Sequence, residues 1–62
     1  MKIVYRDQEW ELEGRRRVRE AIEDVGLNPQ TVLAIREGKL LTEDVVLGES
    51  DELQLVAVIS GG

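Results

Sequence analysis

Short runs of alternating apolar and charged residues occupy both ends of the chain, and between them the spacing lengthens to that of a helix. Residues 2–6 place Ile3 and Tyr5 between charged or outward positions, the period of two expected of a half-buried strand. Asp7-Gln8 reads as a turn. Residues 9–13 repeat the alternation, with Trp10 and Leu12 toward a core and Glu9, Glu11 and Glu13 toward water, so the first two segments predict a hairpin that Gly14 ends. Over residues 16–25 the period changes. Val18, Ala21, Ile22 and Val25 stand at i, i+3, i+4 and i+7, one face of a helix. Gly26 sits where a left-handed C′ residue belongs, Leu27 can pack back on the last turn, and Pro29 forbids continuation. The helix start is less well marked: no Ser, Thr, Asp or Asn precedes Arg15, which leaves Gly14 as a moderate N-cap.

Beyond the helix, Val32-Leu33-Ala34-Ile35 is a short β-rich run bounded by Pro29 and Gly38, which predicts a buried central strand over residues 31–36. Glu37-Gly38 turns the chain into a short strand at 39–41. Residues 42–47 read as an irregular or single-turn connection that tucks Leu47 and one of Val45 or Val46 inward, and Gly48-Glu49-Ser50-Asp51 turns again. The last strand, 52–59, sets Leu53, Leu55, Ala57 and Ile59 on one face and Gln54, Val56 and Val58 on the other. The order is strand, strand, helix, strand, short strand, strand: an α+β arrangement with one amphipathic helix against one face of a mixed sheet. If the last strand lies beside the first, the most hydrophobic strands are kept from the sheet edges.

Composition narrows what such a domain can do. A chain of 62 residues buries about 60% of its unfolded surface, enough for one domain spanning 1–62 and little more. It has no cysteine and no histidine. That excludes a disulfide staple, a thiol nucleophile, an imidazole base and the usual zinc cluster, so stability must come from packing, and no catalytic or metal-binding residue is expected. Eight Lys plus Arg against thirteen Asp plus Glu give a net charge of −5, which repels phosphate backbones and anionic lipid heads. Direct nucleic-acid and membrane partners are therefore not expected. Neither a signal-type h-region nor an apolar run of membrane-spanning length is present, and a cytoplasmic location is expected. Six arginines against two lysines, with abundant glutamate, lean toward a heat-adapted source.

The helix has its charges against its dipole, with Arg15, Arg16, Arg17 and Arg19 early and Glu23 and Asp24 late. Pairs Arg16–Glu20 and Arg19–Glu23 at i, i+4 offer relief. The cluster is either a solvated face or a docking site for an acidic partner surface. A second candidate surface lies on the sheet. Taking Leu33 and Ile35 as the helix-facing pair puts Val32 and Ala34 on the opposite face, where Val56, Val58 and Val4 join them in an exposed apolar patch suited to a partner.

The strongest chemical signal is the ending. After Ile59 the pattern stops, and Ser60-Gly61-Gly62, with no side chain large enough to pack, is expected to form a flexible tail. At a glycine usage of about 7%, two terminal glycines arise by chance in roughly 0.5% of chains. Glycine lacks a Cβ and passes through conformations other residues cannot, which suits a carboxylate that must thread a narrow channel. A carboxylate is a poor electrophile, so the expected chemistry is adenylation by a separate ATP-using enzyme, after which a sulfur or amine nucleophile displaces AMP.

The run Val32-Leu33-Ala34-Ile35-Arg36-Glu37-Gly38, the turn Gly48-Glu49-Ser50-Asp51-Glu52-Leu53 and the ending Val58-Ile59-Ser60-Gly61-Gly62 together resemble the prokaryotic sulfur-carrier family. Its members include thiamine sulfur carriers, the small subunit of molybdopterin synthase and the carriers for 2-thiouridine-type tRNA modification. The resemblance covers nearly the whole chain, and the Ile-Ser-Gly-Gly ending looks closest to the thermophilic tRNA-thiolation carriers. It departs from the molybdopterin subunits in lacking a proline-rich approach to Gly-Gly, and it has Arg36-Glu37-Gly38 where Asn-Gly is frequent. It implies a ubiquitin-like β-grasp fold in a monomeric protein that is not itself an enzyme. Partners would be a ubiquitin-activating-type adenylating enzyme, a sulfur donor of cysteine desulfurase or rhodanese type and a downstream sulfur-acceptor enzyme. Gly62, preceded by Gly61, would carry a thiocarboxylate, while Val32, Ala34, Val56, Val58, Ile59 and Ser60 would face the partners. No bound cofactor is implied. Two alternatives stand beside it: a ubiquitin-like modifier joined to lysines through the same glycine, for which Lys2 and Lys39 are the internal acceptors, and a plain interaction domain with an inert tail.

Overall fold

Ten apolar side chains, drawn from every part of the chain up to Leu55, converge on one buried cluster, and the computed structural model describes the residues that hold it, 1–58. Strands β1 (Lys2–Tyr5) and β2 (Gln8–Glu11) form an antiparallel hairpin with Ile3 opposite Trp10. The chain turns at Arg6-Asp7, one residue earlier than the sequence predicts. A two-residue strand β3 (Arg16–Arg17) leads into helix α1 (Val18–Asp24). Then come β4 (Val32–Arg36), β5 (Lys39–Leu41), the two-residue β6 (Val46–Leu47) and β7 (Glu52–Ala57). The main sheet has the order β2-β1-β7-β4-β5. Only β1 and β7, the first and last strands of the chain, run parallel, and β7 lies at the centre. This is the ubiquitin-like β-grasp arrangement. Ile3, Leu53, Leu55, Val32 and Ala34 cover the helix-facing side of the sheet, and Val18, Ala21 and Ile22 of α1 meet them. Trp10 and Leu12 pack at the margin of this core.

Helix α1 is shorter at its start than the periodicity predicts, and its cap is not Gly14. Arg17 is the N-cap, and the Glu20 carboxylate accepts a hydrogen bond from its backbone N–H at 3.0 Å, one half of a capping box. The next two N–H groups, of Val18 and Arg19, donate to the carbonyls of Val45 (2.9 Å) and Glu43 (3.0 Å). Orphan donors that usually require a Ser or Asp are thus met by the 42–47 segment, which β6 anchors by pairing Arg16 with Leu47 and Arg17 with Val46. Leu47 is fully buried while Val46 points out. At the other end the stop is as the sequence predicts. Gly26 has φ +83°, Gly26 N–H donates to Glu23 O at 3.0 Å and Leu27 N–H to Ile22 O at 3.1 Å, the paired bonds of a Schellman motif.

The β4–β5 hairpin pairs Arg36 with Lys39 around the two-residue turn Glu37-Gly38, and both turn residues have positive φ, +53° and +79°. Glycine takes that conformation freely, whereas glutamate at a left-handed position costs about 1 kcal/mol, which asparagine largely avoids. Glu37→Asn is therefore expected to raise stability by about 0.5–1 kcal/mol in urea titrations, with an unchanged m-value.

Candidate functional site

The central strand carries the chain toward its glycine ending, and what lies around its exit decides what a partner would meet. Val58 N–H donates to Thr31 O at 2.8 Å, extending the β7–β4 ladder one step past the strand. Ile59, Ser60, Gly61 and Gly62, which include the expected reacting carboxyl group, lie outside the described residues.

The face of the sheet opposite α1 is an apolar strip flanked by charge. Leu33 is directly opposite Val56, and Ile35 is opposite both Gln54 and Leu40. Leu33 is 44% exposed, Val56 40% and Val58 42%, and Leu40 is also open to solvent. Val56 and Val58 are therefore exposed as expected. Val32 and Ala34 are not. They are 6% and 3% exposed, and it is Leu33 and Ile35 that stand on the open face. The assignment of β4 to its faces is thus the reverse of the sequence expectation, and the reason is register. Ala34 lies opposite Leu55 and Val32 opposite Ala57, and directly opposed residues share a face, so the buried Leu55 draws its partners to the helix side. Both parities of β4 are apolar, and the larger side chains do not mark the inner one. Register adds Leu33, Ile35 and Leu40 to the strip: Leu33 lies opposite Val56, Ile35 opposite Gln54, and Leu40 opposite Ile35.

Val4 is half-buried between Glu9 and Gln54 on this same face. Lys2 spans the hairpin to Glu9 at 3.4 Å, and Lys39 is exposed at the β5 end of the 37–38 turn with no ion pair among the described residues. Arg36, at the end of β4, reaches Asp51 at 3.4 Å, and Asp51 also accepts from the Gly48 N–H at 2.7 Å, which closes the 48–51 turn that leads into β7.

The arginine cluster proves to be a mixed-charge surface. Arg16 precedes the helix, so it cannot make the expected i, i+4 pair with Glu20. Instead it bonds the Asp24 carboxylate at the far end of α1 and donates to Glu13 O at 2.9 Å. Its Nε has no partner among the described residues. Arg19 pairs with Glu23 as expected, at 3.8 Å across exposed side chains, a contact worth a few tenths of a kcal/mol at most. Arg17 borders Glu43 and Asp44, and Arg15 lies near Gly48 and Glu49. Asp44 is held below the ordinary aspartate range, first by the hydrogen bond from Thr42 Oγ1 and more weakly by the positive charge of Arg17. Among the described residues no group of three acidic side chains is spaced to hold a metal ion, and no helix is long and apolar enough to cross a membrane.

An exposed residue on the open strip should tolerate charge, and a buried neighbour should not. Val56→Glu is expected to leave the free energy of unfolding within about 0.5 kcal/mol of the parent. Ala34→Glu, one residue along from Leu33 but inside the core, is expected to unfold the protein, because it buries an unpaired carboxylate. Circular dichroism melts of the two variants separate the faces directly.

Comparison with known proteins agrees with this architecture. The chain is 43% identical over 65 aligned positions to "Sulfur carrier protein TtuB" of Thermus thermophilus, covering all of both chains. The ThiS family model matches residues 1–62, the whole chain. A match of that extent, on a β-grasp sheet whose central strand leads into Gly61-Gly62, makes this chain a member of the ThiS family.

Proposed function

We propose that the protein is a sulfur carrier, a substrate passed between enzymes and not a catalyst, with Gly62 as its reacting residue. The full-length relationship to a sulfur carrier, together with the Gly61-Gly62 ending, carries the reading. In the first step a carboxylate oxygen of Gly62 attacks the α-phosphate of ATP held by an activating enzyme, and pyrophosphate leaves. In the second, the outer sulfur of a donor protein's persulfide attacks the acyl carbon and AMP departs with that oxygen; a second thiol then attacks the S–S bond of the resulting acyl disulfide, which leaves the thiocarboxylate on Gly62 and a disulfide on the donor side. The thiocarboxylate then gives its sulfur to an acceptor enzyme, with thiolation of tRNA as the preferred destination.

The chain's own residues have two tasks in this scheme. Gly61 and Gly62 add no side-chain bulk where a narrow active site must enclose the carboxyl group. The strip of Leu33, Val56 and Val58 gives the activating enzyme an apolar surface close to the departing chain, so that binding energy positions the end for reaction. The absence of cysteine and histidine fits a molecule that brings no nucleophile of its own.

Intact-mass spectrometry of the protein isolated from its source tests the proposal. The expected species is heavier than the encoded chain by the exchange of one oxygen for one sulfur, and alkylation should map it to Gly62. A chain that incubation with an activating enzyme, ATP and a sulfur donor leaves unaltered in mass would overturn it. With that same system, Leu33→Glu and Val56→Glu are each expected to lower the rate of loading by about tenfold or more, the cost of placing one charge in an apolar contact of roughly 1.4 kcal/mol or greater.

A further inference from the structure

The sheet has a gap in it. Strand β5 pairs with β4 only from Ala34 to Arg36, after which residues 42–47 leave the sheet to cap α1. Along β4 the hydrogen-bonded pairs with β7 alternate. Thr31 O accepts from Val58 N–H, which makes 31, 33 and 35 the residues that bond toward β7 and turns the N–H and C=O of Val32 the other way. A neighbour at position 43 would complete the ladder, but the Glu43 carbonyl is already committed to the Arg19 N–H. The Val32 backbone groups therefore face a groove with no hydrogen-bond partner among the described residues, which is unusual for a strand whose side chain is buried.

That groove runs between α1 and the 42–44 segment. Val18, Ile22, Val32 and Leu41 form its apolar floor, Glu43 and Asp44 its rim, and it reaches Val58 at the point where the chain departs toward Gly62. Neither Glu43 nor Asp44 forms an ion pair among the described residues, and the Thr42 hydroxyl, at 2.7 Å, favours the ionised form of Asp44. Arg17 borders both, but Glu20 lies there too and Arg19 is paired with Glu23, so the rim keeps a net negative charge. An unpaired donor and acceptor spaced for a strand, an apolar floor and an anionic rim specify the complementary ligand: an extended segment with an apolar residue inward and a basic residue against the rim. A second copy of this chain fits poorly. Each copy carries a net charge of −5, and the outer edge strand β2 brings Glu9 and Glu11.

We propose that this groove docks an extended, basic segment of a partner protein by strand addition to Val32. Given the sulfur-carrier reading, on which only the partner's identity rests, that partner is a protein that handles the Gly62 end, because the groove opens beside Val58, four residues before it in the chain. The bound segment would fix the direction in which the chain leaves β7.

The probe is an acetylated, amidated pentapeptide of alternating valine and arginine, titrated into the full ¹⁵N-labelled chain at low salt. Saturable shifts are expected at the amides of Val32, Glu43 and Asp44, with Val32 exchange slowing about tenfold, the equivalent of one net hydrogen bond. Glu43→Lys combined with Asp44→Lys should weaken this peptide by about tenfold and favour the valine–glutamate counterpart, with the parent's unfolding midpoint as the folding control. Shifts centred on the open strip or on β2, no response up to millimolar peptide, charge reversal without effect, or dimerisation on ultracentrifugation would each overturn the proposal. The same titration on a chain lacking Gly61-Gly62 should be unaltered, so loss of groove binding and loss of sulfur loading are read separately.

Discussion

A chain lacking Gly61 and Gly62 is expected to fold with the parent's unfolding midpoint and to lose sulfur loading by at least ~100-fold, to the limit of detection. All ten residues of the buried cluster lie between Met1 and Leu55, so truncation after Ser60 removes none of them. The new terminal carboxylate would be chemically competent. It would be two residues short of the position an activating enzyme has to reach, and a misplacement of even an ångström at a reacting centre costs orders of magnitude in rate. Gly62→Ala asks the finer question. It keeps the length and adds one methyl group, and a loss of about tenfold or more would show that the channel around the carboxyl group is fitted to glycine. Loading rates with ATP and a sulfur donor, followed by intact mass, and thermal melts followed by circular dichroism, read the two halves of the expectation. Undiminished loading of the truncated chain would remove the ending from the chemistry.

Leu47→Ala is expected to be the most destabilising of the conservative changes in the 42–47 segment, at about 2–5 kcal/mol. At 62 residues the whole protein has a stability of roughly 3–9 kcal/mol, so the variant should be largely unfolded at modest temperature. Two effects act together. Leu47 is completely buried, and its strand β6 pins the segment whose Val45 and Glu43 carbonyls close the first turn of α1. Removing the side chain opens a cavity and also loosens the cap. Val46→Ala, at the exposed neighbour, is the matched control and should shift stability by no more than about 0.5 kcal/mol. Urea titrations of the pair provide the measurement. Equal effects would mean that β6 contributes by pairing alone.

The open strip and the groove differ in how they could be found. Val56 and Val58 were legible because β7 has a clean inner face of Leu53, Leu55 and Ala57, which leaves the other parity outside. The groove was invisible. It exists because a carbonyl at Glu43 is used by the helix and not by the sheet, a choice that no local pattern announces.

What the sequence determined by itself is whatever depends on neighbours in the chain: the 3.6-residue face of α1, the Gly26-Leu27 stop, the strand periods and the glycine ending. Only the tertiary structure decided the inner face of β4, the true start of α1 and the partner of Arg16. Each of these is a pairing between distant residues, Ala34 with Leu55, Val18 with Val45, Arg16 with Asp24. A strand apolar on both sides has no period-two preference, and a helix N–H is indifferent to whether its acceptor lies three residues away or twenty-seven. Such choices are settled by the register and packing of the whole molecule, which is where their free energy resides.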